Sequence, residues 1–452
     1  MIYIHVPFCR SFCTYCDFYS EIACKGRDAA AIEVWADGVC EEISARRDEI
    51  AATLDLDTLY IGGGTPSVLP LSVLQQVISC INTAASGEPF APLPLLSGAP
   101  PLTYPASPEL PTSPQSGSVP LSAGHAEACL LTRAYQEFTI EVNPEDIVER
   151  GPEYVRGLLE LGVTRISMGV QSLDDGILRW MNRRHSADGA REAFRLLQGS
   201  ISSPTALTAD ADNAPPSKAG PLPLSRGWRR SCEEISPASS KRADISIDLI
   251  IGVPGMTEEI LEATLEEVIG WRPEHISAYQ LSIEEDSTLA RMIEQGEVQE
   301  LDEEACRAQY DLVCQRLRDA GYHHYEISNW ALPGHEAIHN SAYWTRHPYV
   351  GLGPAAHSFL YYESAPAFGR AMQGPGSPCG TRPCPLPVAD GKRIIQRRSW
   401  NSQVLSGWTS EGEDLSPEQI HTEEVMLLAR TDRGPIPESD WFIADEIIPG
   451  LI

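Results

Sequence analysis

Short apolar runs recur along the chain at residues 2–6, 58–61, 138–142, 165–170, 245–251, 275–281 and 325–327, each closed by Gly, Pro or a polar residue. Runs of this length with turn formers at their ends predict buried strands. Between them the spacing of apolar positions predicts helices over 29–52, 153–161, 174–181, 258–269 and 303–320. Strand and helix thus alternate through most of the chain. Such alternation predicts an α/β protein with a parallel sheet, either open or curved into a full or partial barrel.

Three stretches break the rhythm. Residues 84–130 and 199–243 are rich in Pro, Ser, Gly and Ala and lack apolar periodicity, which predicts disordered insertions. Residues 364–392 are similar and predict a loop, in which Cys379 and Cys384 flank a Gly- and Pro-rich turn and pairing or metal binding is the alternative to a plain loop. The segment 400–430 then predicts the start of a small C-terminal unit.

With 452 residues, 42% of them hydrophobic, the chain can bury a substantial core. Sixty-three acidic against 34 basic residues give a formal net charge of -29, which argues against a nucleic-acid partner held by a broad basic surface. The sequence has no apolar run of the ~18 residues a membrane helix needs, and Met1 to Phe8 lack the pattern of a signal peptide. A cytoplasmic protein without a transmembrane segment is therefore expected. There the twelve cysteines should stay reduced, and clustered thiols should bind metal rather than pair. Cys24, Cys40, Cys80, Cys306 and Cys314 are dispersed and read as ordinary thiols.

One cysteine group is clustered. In Tyr3-Ile-His-Val-Pro-Phe-Cys9-Arg-Ser-Phe-Cys13-Thr-Tyr-Cys16-Asp-Phe the spacing is C-x3-C-x2-C, directly after a predicted strand. Three thiolates from one loop can hold three irons of a cubane and leave the fourth open to an exchangeable ligand. A structural zinc site is the alternative and would want four N or S ligands, for which His5 is the nearby candidate. Polar residues and glycines sit at other strand ends, where a barrel carries its ligands: Gly62-Gly63-Gly64-Thr65-Pro66, Glu141 and Asn143, Gln171 and Ser172, and Asp248 ahead of Gly252.

The cysteine spacing, with Tyr15 just before the third cysteine, resembles the radical S-adenosylmethionine (SAM) superfamily. That resemblance implies a [4Fe–4S] cluster on Cys9, Cys13 and Cys16, whose open iron binds SAM. It also implies a partial (β/α)6-type barrel with a smaller C-terminal extension. The ordered motifs further resemble the coproporphyrinogen-oxidase-like branch, from Met1 to about Arg430 apart from the insertions. By that resemblance Tyr3, Tyr15, Gly63, Gly64, Thr65, Glu141, Gln171, Arg183 and Asp248 surround SAM, with Arg184 competing with Arg183.

Within this branch, the oxidase motif continues to a fourth cysteine, where this chain has Asp17-Phe18. The pattern His339-Asn340-Ser-Ala-Tyr343-Trp344 resembles that of HemW-type haem chaperones. Together these imply a protein that carries haem as cargo and passes it to an acceptor protein, with an electron donor serving the cluster. The alternative is oxygen-independent coproporphyrinogen III dehydrogenation. His339 is expected to ligate haem iron between the flat faces of Tyr343 and Trp344. The expected division is a barrel over 1–330 and a HemW-like region over 331–452.

Overall fold

A computed structural model describes residues 1–22, 28–86, 133–202, 242–285, 287–363 and 394–451. The expected insertions and the loop with Cys379 and Cys384 lie outside the described residues, except at their edges. There, helices run on to Ser86 and Ser202, and a strand begins at Asp244.

The strands are β1 (Ile2–Val6), β2 (Phe8–Cys9), β3 (Glu21–Ile22), β4 (Thr58–Gly63), β5 (Glu137–Val142), β6 (Arg165–Gln171) and β7 (Asp244–Ile251). There follow β8 (His275–Gln280), β9 (His323–Glu326), β10 (Asn329–Ala331), β11 (Val350–Leu352), β12 (His357–Glu363), β13 (Ile394–Asn401) and β14 (Ser410–Asp414). The helices are α1 (Asp28–Ala45), α2 (Arg47–Ala52), α3 (Leu71–Ser86), α4 (Pro144–Glu160), α5 (Asp175–Trp180) and α6 (Ala187–Ser202). Then come α7 (Glu258–Trp271), α8 (Thr288–Glu294), α9 (Glu303–Asp319), α10 (Ile338–Trp344) and α11 (Pro417–Leu428).

Six parallel strands, β1-β4-β5-β6-β7-β8, form the centre of a nine-stranded sheet. This is the expected partial barrel: β4 to β8 wrap one cavity, and the sheet does not close on itself. β11 extends it in parallel beside β1, and β10 and β9 extend it antiparallel beside β8.

The strands alternate with period two. Phe138, Ile140 and Val142, Ile166, Met168 and Val170, and Ile245, Ile247 and Leu249 are buried in the apolar core. The alternate positions Thr139, Glu141, Ser167, Ser246, Asp248 and Ser277 point to the concave side. Burial of one large aliphatic or aromatic side chain contributes about 1.5–3 kcal/mol. Hydrophobic stabilisation therefore lies in the layer between strands and helices, while the barrel interior stays polar and free to take a ligand.

Several expected elements shift. The helix expected over 29–52 breaks at Arg46, whose guanidinium bonds Glu42, Glu49 and the Gly351 carbonyl. The strand expected at 325–327 is β9, an antiparallel edge strand rather than part of the parallel set. Helix α3 went unforeseen, although Leu74, Val77, Ile78 and Ile81 fall at helical spacing and are buried. The division expected at residue 330 runs through the sheet, because β10 and β11 both pair within it.

The meander β12-β13-β14 is anchored on α1. Glu42 accepts from Gly353 N, Asn401 Nδ2 and Trp408 Nε1, each at 2.9 Å.

Candidate functional site

The cysteine loop leaves β1 at its C-terminal end. Two distant contacts hold its middle: Thr14 Oγ1 donates to the Trp180 carbonyl (2.8 Å), and Leu289 N to the Thr14 carbonyl (2.8 Å). Beneath it runs the glycine turn after β4, where Gly64 N donates to the Val6 carbonyl at 2.8 Å. A Cβ on Gly64 would stand 2.8 Å from the Phe8 carbonyl oxygen and 3.0 Å from Cys9 Sγ, so only glycine lets the turn lie against the loop. Gly63 adopts φ +109°, a conformation L side chains avoid, and thereby aims its N–H at Glu141 Oε2 (3.1 Å).

Cys9, Cys13 and Cys16 line one cavity of about 530 Å³, at the C-terminal ends of β4 to β8. A chain of donors joins two of the sulfurs. Arg183 donates to Cys13 Sγ (3.4 Å), to Asn143 Oδ1 (2.7 Å) and to the Gly169 carbonyl (2.9 Å). Asn143 Nδ2 in turn donates to Thr65 Oγ1 (3.2 Å), and Thr65 Oγ1 to Cys9 Sγ (3.5 Å). Burial opposes the charge on Arg183, but Tyr15, Cys13 and Glu145 outweigh it and raise its pKa. Burial also raises the Cys9 thiol and pushes Cys16 up to about 12. Neither would ionise near neutrality without a cation or metal to hold the thiolate.

Two buried carboxyls face the same cavity. Glu141 accepts from Tyr60 Oη (2.7 Å) as well as Gly63 N, yet burial raises it to about 7. Asp248 accepts from Ser167 Oγ (2.9 Å), and burial raises it to about 6. Gln171 completes the wall at φ +64°, an uncommon backbone for a side chain with a Cβ. Its buried Oε1 and the buried Nε of Arg183 have no hydrogen-bond partner. Unpartnered buried polar atoms at a strained cavity wall are what a ligand-binding face presents.

These residues fit the implied groups. Three thiols with no fourth N or S ligand at hand suit a cubane with one open corner. His5 is not a fourth ligand: its Nε2 bonds the Tyr19 carbonyl (2.9 Å) and its Nδ1 the Tyr3 hydroxyl (3.1 Å). The cavity is of a size usual for cofactors, and its free acceptors and carboxyls could take SAM's ammonium and ribose hydroxyls.

Of the residues expected around SAM, Tyr15, Gly63, Gly64, Thr65, Glu141, Gln171, Arg183 and Asp248 line the cavity. Tyr3 does not: it is packed on Tyr60 (ring centroids 6.0 Å apart) and bonded to His5, one layer below. Arg184 reaches the cavity rim, but its guanidinium pairs with Glu145 and Glu149, which leaves the inward role to Arg183. Ser172 is fully buried and is not among the lining residues. Tyr60, Ser167 and Tyr279 were overlooked, although their place in the period-two alternation marks them as inward-facing.

The largest correction concerns His339. It lies on α10 under the N-terminal ends of the strands, with 0% of its surface exposed. Its Nδ1 is bonded to Thr58 Oγ1 (2.8 Å) and its Nε2 to Tyr343 Oη (3.0 Å), and burial lowers its pKa to about 3. Both ring nitrogens are taken, so in this structure His339 is a neutral packing residue with no lone pair for iron. Tyr343 is spent on His339 and stacks edge-on with Tyr349 at 4.8 Å; Trp344 is half-buried at the end of α10.

Residues 3–208 match the family model described as the radical SAM superfamily. The chain is similar to the haem chaperone HemW of Synechocystis sp. PCC 6803, 25% identical over 96% of this chain and 78% of the relative. It is likewise 27% identical to HemW of Mycobacterium tuberculosis, over 96% and 82% of the two chains, and 26% identical to that of Bacillus subtilis, over 79% and 70%. Among solved structures, Escherichia coli coproporphyrinogen III oxidase, HemN, superposes with a TM-score of 0.57 at 15% identity, covering 95% of this chain and 75% of HemN. The last likeness establishes a common fold.

Proposed function

We propose that this chain is a radical SAM haem chaperone: it holds a [4Fe–4S] cluster on Cys9, Cys13 and Cys16, binds SAM above the barrel, and passes haem to an acceptor protein. The observation that carries the reading is the cysteine loop itself. Three thiols face one cavity, and Phe18, 62% exposed, stands where the oxidase branch has its fourth cysteine. Similarity to haem chaperones over nearly the whole chain supports it.

When bound, the cluster would supply single electrons to SAM. The protein's own part is to orient and exclude water. Glu141 and Asp248 offer acceptors to the ligand's ammonium and hydroxyl groups, and Tyr60 and Ser167 hold those carboxyls in place. Arg183 counters thiolate charge at Cys13. With His339 sealed, exposed aromatic faces beside the cavity are available to a porphyrin: Phe12 (48% exposed), Phe18 and Tyr279 (41% exposed). We place haem approach there. The same reading makes the protein cytoplasmic, served by an electron donor for the cluster. No helix among the described residues is long and apolar enough to cross a membrane.

The test is anaerobic reconstitution followed by haem titration and a coproporphyrinogen III decarboxylation assay on one sample. Haem binding without decarboxylation is expected, and Phe12→Ser with Phe18→Ser should weaken haem retention more than His339→Ala does. Decarboxylation at about 1 per second or faster would overturn the chaperone reading in favour of the oxidase.

A further inference from the structure

Cys40 and Cys80 read in sequence as ordinary dispersed thiols, but the fold brings them together. Cys40 on α1 and Cys80 on α3 lie with their sulfurs 2.6 Å apart, each side chain buried at 9% exposure. That separation is well inside the van der Waals contact of two sulfurs and close to the roughly 2.05 Å of a disulfide bond. The pair sits in a seam along which the two helices are already registered. About one turn earlier on each helix, Gln76 Nε2 donates to Asp37 Oδ1 at 3.2 Å.

The seam also joins two supports of the cysteine loop. α1 bears Trp35, whose Nε1 donates to the His5 carbonyl of β1 at 3.1 Å, just before the loop begins. α3 follows the turn that carries Thr65, the donor to Cys9 Sγ.

We infer that Cys40 and Cys80 form a redox-responsive dithiol, which closes to a disulfide under oxidising conditions and fastens α1 to α3 beside the cysteine loop. The step is thiol–disulfide exchange with a small-molecule disulfide of the glutathione type. One protein thiolate attacks the disulfide and releases one small thiol. The second protein thiolate then displaces the other small thiol, so that two protein thiols are oxidised as one disulfide is reduced to two thiols. A small cytoplasmic-type thiol pool keeps the pair open, and a shift of that pool closes it. The bond would close the chain between residues 40 and 80, and so restrict the unfolded state.

The experiment uses reconstituted full-length protein, equilibrated anaerobically in glutathione buffers from fully reduced to fully oxidised. The protein is then denatured, alkylated and mapped by mass spectrometry. The expected result is a Cys40–Cys80 cross-linked peptide that rises with a single midpoint, together with an upward shift of the thermal midpoint by a few degrees. Cys40→Ala and Cys80→Ala should each abolish the cross-link and the shift while keeping the iron content of wild type. Full alkylation of both cysteines in the oxidised buffer, or glutathione adducts accumulating on one of them without a cross-link, would overturn the inference.

Discussion

The two ends of the barrel are built from the same strands and differ in what meets their polar groups. At the N-terminal end, Glu137 accepts from Ile338 N (3.0 Å), His339 N (2.9 Å) and Arg165 Nε (3.1 Å). His275 there is bonded through both nitrogens, to Ser246 and Tyr325 at 2.7 Å each. Toward the C-terminal ends of the strands, Gln171 Oε1 and Arg183 Nε have no partner, and Glu141 and Asp248 are held near or above pH 6, chiefly by burial. Leaving a buried polar group unmatched costs about 1–3 kcal/mol. At the N-terminal end α10 covers the strands and gives Glu137 two backbone donors, although Arg165 Nη1 stays without a partner there; at the C-terminal end the unmatched groups line the cavity shared with the three thiols.

If that contrast is right, substitutions at the two ends should fail in different ways. The largest effect is expected at Cys9, Cys13 or Cys16, where Ala should bring iron and labile sulfide to background while circular dichroism stays native. The thiols are only half-buried and support a ligand more than the fold. Retained cluster in any one variant would remove that cysteine from the set.

His339→Ala sharpens the comparison from the other end. It strands Thr58 and Tyr343 and empties a buried space, so stability should fall by about 2–4 kcal/mol. The Soret band per folded molecule should stay where it is. A shifted Soret band at unchanged stability would return His339 to the role of an iron ligand.

Glu141→Gln probes the unmatched end through pH. Because the folded pKa is raised from 4.5 to about 7, its favourable contribution is whole below pH 4.5 and is lost as pH rises through about 7. The apo protein's thermal midpoint should therefore decline across this window, and Glu141→Gln should flatten the decline. The corresponding stability change is on the order of 2–3 kcal/mol. SAM affinity should drop about tenfold or more in the same variant. An unchanged pH profile would mean that Glu141 is solvated.

The smallest effect separates two neighbours. Arg183→Met should weaken SAM binding by about 10–100-fold, whereas Arg184→Ala, which breaks only rim ion pairs, should alter stability by less than about 1 kcal/mol. Equal effects at both positions would erase the distinction between the inward and outward guanidinium.

The sequence alone determined the features set by neighbours along the chain. Alternating apolar runs and helical spacing specified the parallel sheet, because each strand's register of buried positions is local. The cysteine spacing and the glycine turn marked one end of the barrel because a loop that binds several irons needs its ligands within a few residues of one another. Period-two alternation in Glu137, Thr139 and Glu141 also carried the polar interior, although apolar runs drew attention away from it. Tertiary structure decided whatever depends on which distant element covers a residue. A His-Asn pair ahead of aromatics has the same sequence whether it faces haem or plugs a barrel; burial against Thr58 and Glu137, some 200 to 280 residues away, chose the plug. The same cause separated Arg183 from Arg184, set Tyr3 a layer below the cavity, and brought Cys40 against Cys80. Side-chain exposure and partners belong to the packed molecule, and local spacing holds no record of them.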